Sequence, residues 1–187
     1  MVAPTVYGAL QGITRSGAFL APLLAPLLAC CLIVAGALVR IRIRAGAVPV
    51  TGQTFAVCLS TWMLGRDAST KGAVLYVLAV LLGLPVLSGW TRGPHKMSFG
   101  YVLGFVACAW LSAPAAAIDD SAALVVFFGC VVGQTAAVLT GAAWTAAVGL
   151  DPGVAFSSGI LPFLPGLLVK AVLVTFLVAH GPRLIGR

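Results

Sequence analysis

Two uncharged apolar runs dominate this sequence. Residues 121–150 contain no Asp, Glu, Lys, Arg or His, and residues 17–39 form a second run of the same kind. A hydrocarbon core of about 30 Å takes about 20 residues per helical crossing, so both runs are long enough to span a bilayer. Because 61% of the 187 residues are hydrophobic and 8% are charged, a soluble domain could not bury that much apolar surface. The sequence predicts an integral membrane protein.

Short polar segments divide the chain into further apolar runs. The first run, of 23 residues, exceeds the apolar region of a signal peptide and is predicted to be an uncleaved helix. Arg66, Asp67 and Lys71 predict a polar loop, and residues 151–153 a turn. Residues 40–53 begin with alternating Arg and Ile and predict an extended loop at the membrane surface. The expected fold is all-α, a single membrane domain over residues 1–187 with six transmembrane helices at about residues 17–39, 50–64, 72–89, 99–117, 121–149 and 159–180.

Several functional classes are disfavoured by composition. The net charge of +7 is spread between apolar runs, with no basic block, which fits lipid headgroups better than nucleic acid. The five cysteines lack CxxC spacing and a neighbouring His, so they are predicted to be small buried hydrophobes and not metal ligands or disulfides. No catalytic or nucleotide-binding motif is present. We expect neither an enzyme nor a bound cofactor or metal.

Lys170 is the most unusual residue for such a chain. It lies eleven residues after Gly159 and ten before His180, near the middle of the sixth predicted helix. A charge at that depth costs several kcal/mol and is expected to have a partner or a ligand. A lysine that extends its ammonium to the membrane interface is the simpler alternative. The functional interpretation is a cation that binds an anionic or carbonyl group of a solute.

A small set of other polar and aromatic side chains falls inside the predicted spans. Each alone is more often a contact between helices than a ligand contact. Together with Lys170 they could line one pocket with an aromatic wall and hydrogen-bonding ends. The candidates for substrate binding are Lys170, Thr51, Gln53, Tyr101 and Trp144, and the remaining polar or aromatic residues of the spans are Trp110, Gln134 and Thr140.

Ala21, Ala25 and Ala29 repeat at four-residue spacing in the first predicted helix. Small residues at this spacing form one helix face and allow another helix to approach closely. The face is therefore either an internal packing surface, which is the default, or a docking surface for a partner protein.

Five segments of the chain together resemble the BioY family of biotin-binding S-components of energy-coupling-factor (ECF) transporters. The resemblance covers nearly the whole chain, and the combination of VPVTGQT with the later PFLPG and lysine block is specific. The segments are VPVTGQTFAV (48–57), GLPV (83–86), GYVLGF (100–105), GAAW (141–144) and PFLPGLLVKA (162–171).

The resemblance implies a multi-pass subunit of the cell membrane that captures biotin from the outside. ATP-driven import would then be the work of partners, a transmembrane coupling subunit and two cytoplasmic ATPases. Residues 40–53 would close over the site, Ala21, Ala25 and Ala29 would face the coupling subunit, and Lys170 would contact biotin. The family usually has an acidic residue where this chain has Leu167. The alternatives are a stand-alone secondary transporter or an S-component for a related small solute.

Overall fold

The computed structural model describes residues 21–41, 49–94, 97–113 and 123–184 of the chain. These residues are mostly helical, which confirms the predicted all-α class. A two-stranded ribbon connects the first two helices. The elements are α1 (Ala21–Gly36), β1 (Arg40–Ile41), β2 (Val50–Thr51), α2 (Gln53–Leu64), α3 (Arg66–Leu81), α4 (Phe99–Leu111), α5 (Ala123–Ala147), α6 (Pro152–Gly159), a 3-10 turn (Leu161–Phe163) and α7 (Leu164–Leu184).

Helix α2 is the central element. It contacts α1, α3, α4, α5 and α7, and most of its residues are buried, including Val57 and Cys58 with no exposed surface. A helix that is covered on all sides can carry polar side chains only where neighbouring helices provide partners. The polar residues of α2 are therefore the natural place to look for a site.

The extended segment after α1 is confirmed where the structure describes it. Strands β1 and β2 pair antiparallel, with Arg40 opposite Thr51 and Ile41 opposite Val50, while residues 42–48 lie outside the described ranges. Next to this hairpin, the backbones at Gly36 and Gly52 are in close contact. A Cβ at Gly36 would stand 2.8 Å from the Gly52 oxygen, so the helix end and the loop make contact backbone to backbone.

Two predicted polar connections are helical. Arg66, Asp67 and Lys71 lie in the first two turns of α3 and not in a loop, and the helix ends at Leu81, before the predicted limit of residue 89. An acidic residue in the first turn stabilises a helix through the helix dipole. The segment after α5 also differs from the predicted turn, because the Asp151 carboxylate accepts from the backbone N–H of Gly153 at 2.9 Å and caps α6.

The outer surface of the described helices is strongly apolar. Leu124 of α5 is 70% exposed and Val169 of α7 is 59% exposed, as expected for side chains that face lipid. Two helical segments are long and apolar enough to cross a membrane on length and composition, Ala123–Ala147 and Pro152–His180. The 12 residues of α2 rise only about 18 Å. Helix length therefore does not establish the predicted six spans.

Candidate binding site

Lys170 contacts the first turn of the central helix. Its Nζ donates a hydrogen bond of 3.0 Å to the hydroxyl oxygen of Thr54, and its side chain is half-buried. Lys170 is six residues into α7, about 9 Å along its axis, and its partner Thr54 lies three residues after Thr51 of β2, so the ammonium is close to the hairpin. Because Nζ contacts a side chain of α2, this lysine is part of an interhelical cluster.

A second helix joins the cluster through Gln134. The Thr54 hydroxyl donates to Oε1 of Gln134 at 3.3 Å, and Nε2 of Gln134 donates to the Leu167 carbonyl oxygen at 3.3 Å. Gln134 is 1% exposed. Helices α7, α2 and α5 are thus connected in a closed circuit of hydrogen bonds, which we call the Lys170 cluster (Lys170, Thr54, Gln134 and the Leu167 carbonyl).

The Lys170 cluster is built from neutral partners. Leu167 stands where the family pattern has an acid, and its side chain is 4% exposed. Asp67 and Asp151, the acidic residues within the described ranges, lie exposed at the starts of α3 and α6. An ammonium carries three donors, and one of them is bonded to Thr54. The remaining donors suit oxygen acceptors of a ligand.

The second polar cluster begins one residue earlier in the chain. Gln53 is 5% exposed, and its Oε1 accepts from the Thr51 hydroxyl at 3.1 Å. Nε2 of Gln53 donates to the Tyr76 hydroxyl oxygen at 2.6 Å, and that hydroxyl donates to the Val86 carbonyl oxygen at 3.0 Å. Thr51 and Gln53 are therefore brought together by their side chains, and Gln53 is adjacent in sequence to Thr54 of the Lys170 cluster.

Tyr101 and Trp144 lie farther along the bundle, toward α6. The Tyr101 hydroxyl donates to the Gly159 carbonyl oxygen at 2.8 Å, and its ring stacks on Phe163 with centroids 5.4 Å apart. Gly141 faces the Tyr101 ring and follows Gln134 by two helical turns, about 10 Å. Tyr101 is thus separated from the Lys170 cluster along the helix axis. Trp144 packs edge-on against Phe99, with ring centroids 5.6 Å apart.

The prediction that the alanine face of α1 docks a partner is contradicted by the burial of this face. Ala25 is 1% exposed and Ala29 has no exposed surface, and a Cβ placed on Gly72 of α3 would meet Ala29. The small side chains let α1 and α3 approach closely, which is the default alternative, so Ala25 and Ala29 are not available to a partner. The side chain of Ala21 lies outside the described ranges.

Thr54 and Tyr76 are the site residues that sequence analysis missed. Thr54 follows Gln53 within the segment VPVTGQTFAV, so its place in that pattern was a usable signal. Tyr76 was visible as a hydroxyl within an apolar run, where it needs a partner. Among the described residues, no group of three or more His, Cys, Asp or Glu is arranged to hold a metal ion. Cys58, Cys108 and Cys130 are buried, as predicted, whereas Cys30 is half-buried and Cys31 is exposed, so the prediction of burial was wrong for Cys31.

Together, the fold and these clusters define an all-α membrane protein with polar groups gathered between its helices beside a surface hairpin. Residues 11–187 match the BioY family, and the chain belongs to that family. This membership places it among membrane transport proteins and not among enzymes, since its relatives are transporters.

Three curated relatives and one solved structure show the extent of the similarity. The Biotin transporter BioY of Thermotoga maritima is 38% identical over 78 residues, 40% of this chain and 45% of that relative. The Biotin transporter BioY2 of Lactococcus lactis subsp. cremoris is 29% identical over 72% of this chain and 76% of the relative. The Probable biotin transporter BioY of Pyrococcus horikoshii is 29% identical over 71% of this chain and 79% of the relative.

The solved structure is a crystal structure of the S-component for biotin from an ECF-type ABC transporter. It aligns with a TM-score of 0.68 and 21% identity over 87% of this chain and 90% of that one. At this identity the match shows a shared fold.

Proposed function

We propose that this chain is the substrate-binding subunit of a vitamin uptake system and captures biotin from outside the cell for ATP-driven import. The observation that carries the proposal is the Lys170 ammonium, which contacts the neutral hydroxyl of Thr54 at 3.0 Å. A cation between membrane helices, with no carboxylate partner among the described residues, is expensive unless a ligand completes its interactions. Biotin, with a carboxylate and a ureido carbonyl, offers such oxygen acceptors. The names of three relatives and of the solved structure support biotin as the ligand.

The proposed site lies where β2 passes into α2. Lys170 would bind an oxygen of biotin, and Gln53, aligned by Thr51 and Tyr76, would face the same region from the start of α2. Tyr101 and Trp144 would form an aromatic wall toward α6, and no metal or cofactor would take part. The subunit would span the plasma membrane six times, with the hairpin end outside.

Equilibrium binding of labelled biotin to the purified full-length chain tests the proposal. Loss of a hydrogen bond from a charged donor costs about 1.5–3 kcal/mol, so Lys170→Ala should weaken biotin binding by roughly 10- to 100-fold. Lys170→Met keeps an apolar stem without the charge and should show the same loss. Lys71, an exposed lysine of α3, provides the matched control, and Lys71→Ala should bind as the unmodified chain does.

The result that contradicts this proposal is biotin affinity unchanged by both Lys170 variants when their thermal unfolding is also unchanged. Absence of biotin binding to the unmodified chain, with binding of another small solute, would favour the related-solute alternative. Leu167 is the specific reason to test this alternative, because a leucine side chain cannot accept hydrogen bonds from the N–H groups of a ureido ring as a carboxylate would.

The proposed partners are a transmembrane coupling subunit and two cytoplasmic ATPases. No phosphate-binding loop is present in the sequence, so ATP-driven import would need partner subunits. Co-purification of the tagged chain with an ATPase pair from its native membrane, and biotin uptake that requires those subunits, would support this assignment. Biotin uptake by the chain alone in ATP-free vesicles would instead favour a stand-alone transporter.

A further inference from the structure

A groove of about 560 Å³ lies along α4 and α5. Arg66 and Trp110 line one end of it, and Phe128 and Val132 line its length. Arg66 follows the C-terminal end of α2, whereas the hairpin precedes the N-terminal end of that helix. The groove is therefore at the opposite end of the bundle from the proposed biotin site.

Arg66 supplies a positive charge at the groove. Its guanidinium carbon lies 3.5 Å from the centre of the Trp110 ring, and its Nε is buried without a hydrogen-bond partner among the described residues. Stacking on an indole uses the face of the guanidinium and leaves its in-plane N–H donors for an acceptor.

The rest of the groove favours an apolar chain. Leu124, Phe128 and Val132 are each more than half exposed, and they follow one face of α5 at four-residue spacing. From Leu124 to Val132 this face extends about 12 Å along the helix. An irregular polypeptide segment would expose unsatisfied backbone groups at that depth, whereas an acyl chain has none.

We propose that this groove binds an anionic phospholipid, with its phosphate on Arg66 and an acyl chain along Phe128 and Val132. The cationic end and the apolar length match the two chemical parts of such a lipid.

Native mass spectrometry of the full-length chain in detergent tests the proposal. Phosphatidylglycerol and phosphatidylcholine with identical acyl chains are added in turn. One phosphatidylglycerol should be retained about fivefold more tightly than phosphatidylcholine, the effect of one cation at a membrane surface. Arg66→Ala should remove this preference, and Lys71→Ala should preserve it. Val132→Trp, which narrows the groove from its lipid-facing side, should weaken retention of both lipids.

Biotin binding by Arg66→Ala should be unchanged, so failure of this proposal is distinguishable from failure of the proposed function. Equal retention of both lipids, or a preference that survives Arg66→Ala, would overturn the proposal. Displacement of the lipid by millimolar inorganic phosphate would show a phosphate site without a lipid groove. A lipid-free dimer that Val132→Trp disrupts would assign the groove to a second copy. A higher phosphatidylglycerol affinity in the double variant Asp119→Asn, Asp120→Asn would assign Arg66 to the chain's own carboxylates.

Discussion

Replacement of Gly141 by alanine should displace the Tyr101 ring and destabilise the fold. A Cβ at this position would overlap the ring of Tyr101, so the ring must move away from α5. That movement breaks the hydrogen bond to Gly159 at 2.8 Å and the stacking on Phe163, each about 1 kcal/mol. Overpacking adds about 1–3 kcal/mol, and the helix propensity of alanine offsets about 1 kcal/mol. The net expectation is a destabilisation of about 2–4 kcal/mol.

Detergent-induced unfolding followed by tryptophan fluorescence measures this effect. Gly166→Ala is the matched control, because a Cβ there meets its nearest neighbour, Cγ1 of Val50, at an ordinary 3.5 Å, and it should be neutral or slightly stabilising. Tyr101→Ala removes the ring, so Gly141→Ala should cost less than half as much in that background. Equal costs of Gly141→Ala with and without the Tyr101 ring would refute the steric argument.

Two further substitutions address other close contacts. Gly104→Ala would place a Cβ 2.7 Å from the Ala137 carbonyl oxygen. Because the backbone cannot move aside as a side chain can, we expect the free energy of unfolding, measured by the same assay, to fall by about 2 kcal/mol. Tyr76→Phe removes the donor to Val86 and the acceptor of Gln53, so we expect a destabilisation of about 1–3 kcal/mol and weaker binding of labelled biotin; unchanged affinity would exclude Gln53 from the site.

The sequence was sufficient for the all-α class of fold. Uncharged apolar length carries that information, and the predicted fifth span (residues 121–149) contains the whole of α5 (Ala123–Ala147). The predicted loop at Arg66, Asp67 and Lys71 was wrong, because a polar segment also suits the first turns of a helix, where the acidic Asp67 is favoured by the helix dipole. Helix α3 instead ends at Leu81, shortly before Gly83, which adopts a positive φ of 75°, and Pro85.

The sequence identified residues of the candidate site by their type, but it did not identify the side chains that contact them. Lys170 and Gln53 were identified because ionisable or amide side chains are rare in spans, but the side chains that contact them belong to other helices. Sequence spacing within one helix does not show which neighbour faces it. The alanine face of α1 illustrates this limit, since its spacing indicated a close helix contact and only Gly72 on α3 identifies the neighbour.

The two polar clusters are coupled through the start of α2. Thr51 lies in β2, Gln53 begins α2 and Thr54 follows, so the hairpin strand is connected to the hydroxyl that accepts from Lys170 by three residues of continuous backbone. Tyr76 anchors Gln53 to the turn after α3, and Gln134 anchors Thr54 to α5. A movement of β2 must therefore alter the hydrogen bonds of both clusters. Only neutral groups of the described cluster contact the Lys170 ammonium. A ligand oxygen that bonds to this ammonium would replace or supplement its contact with Thr54, and would thereby affect the position of the hairpin.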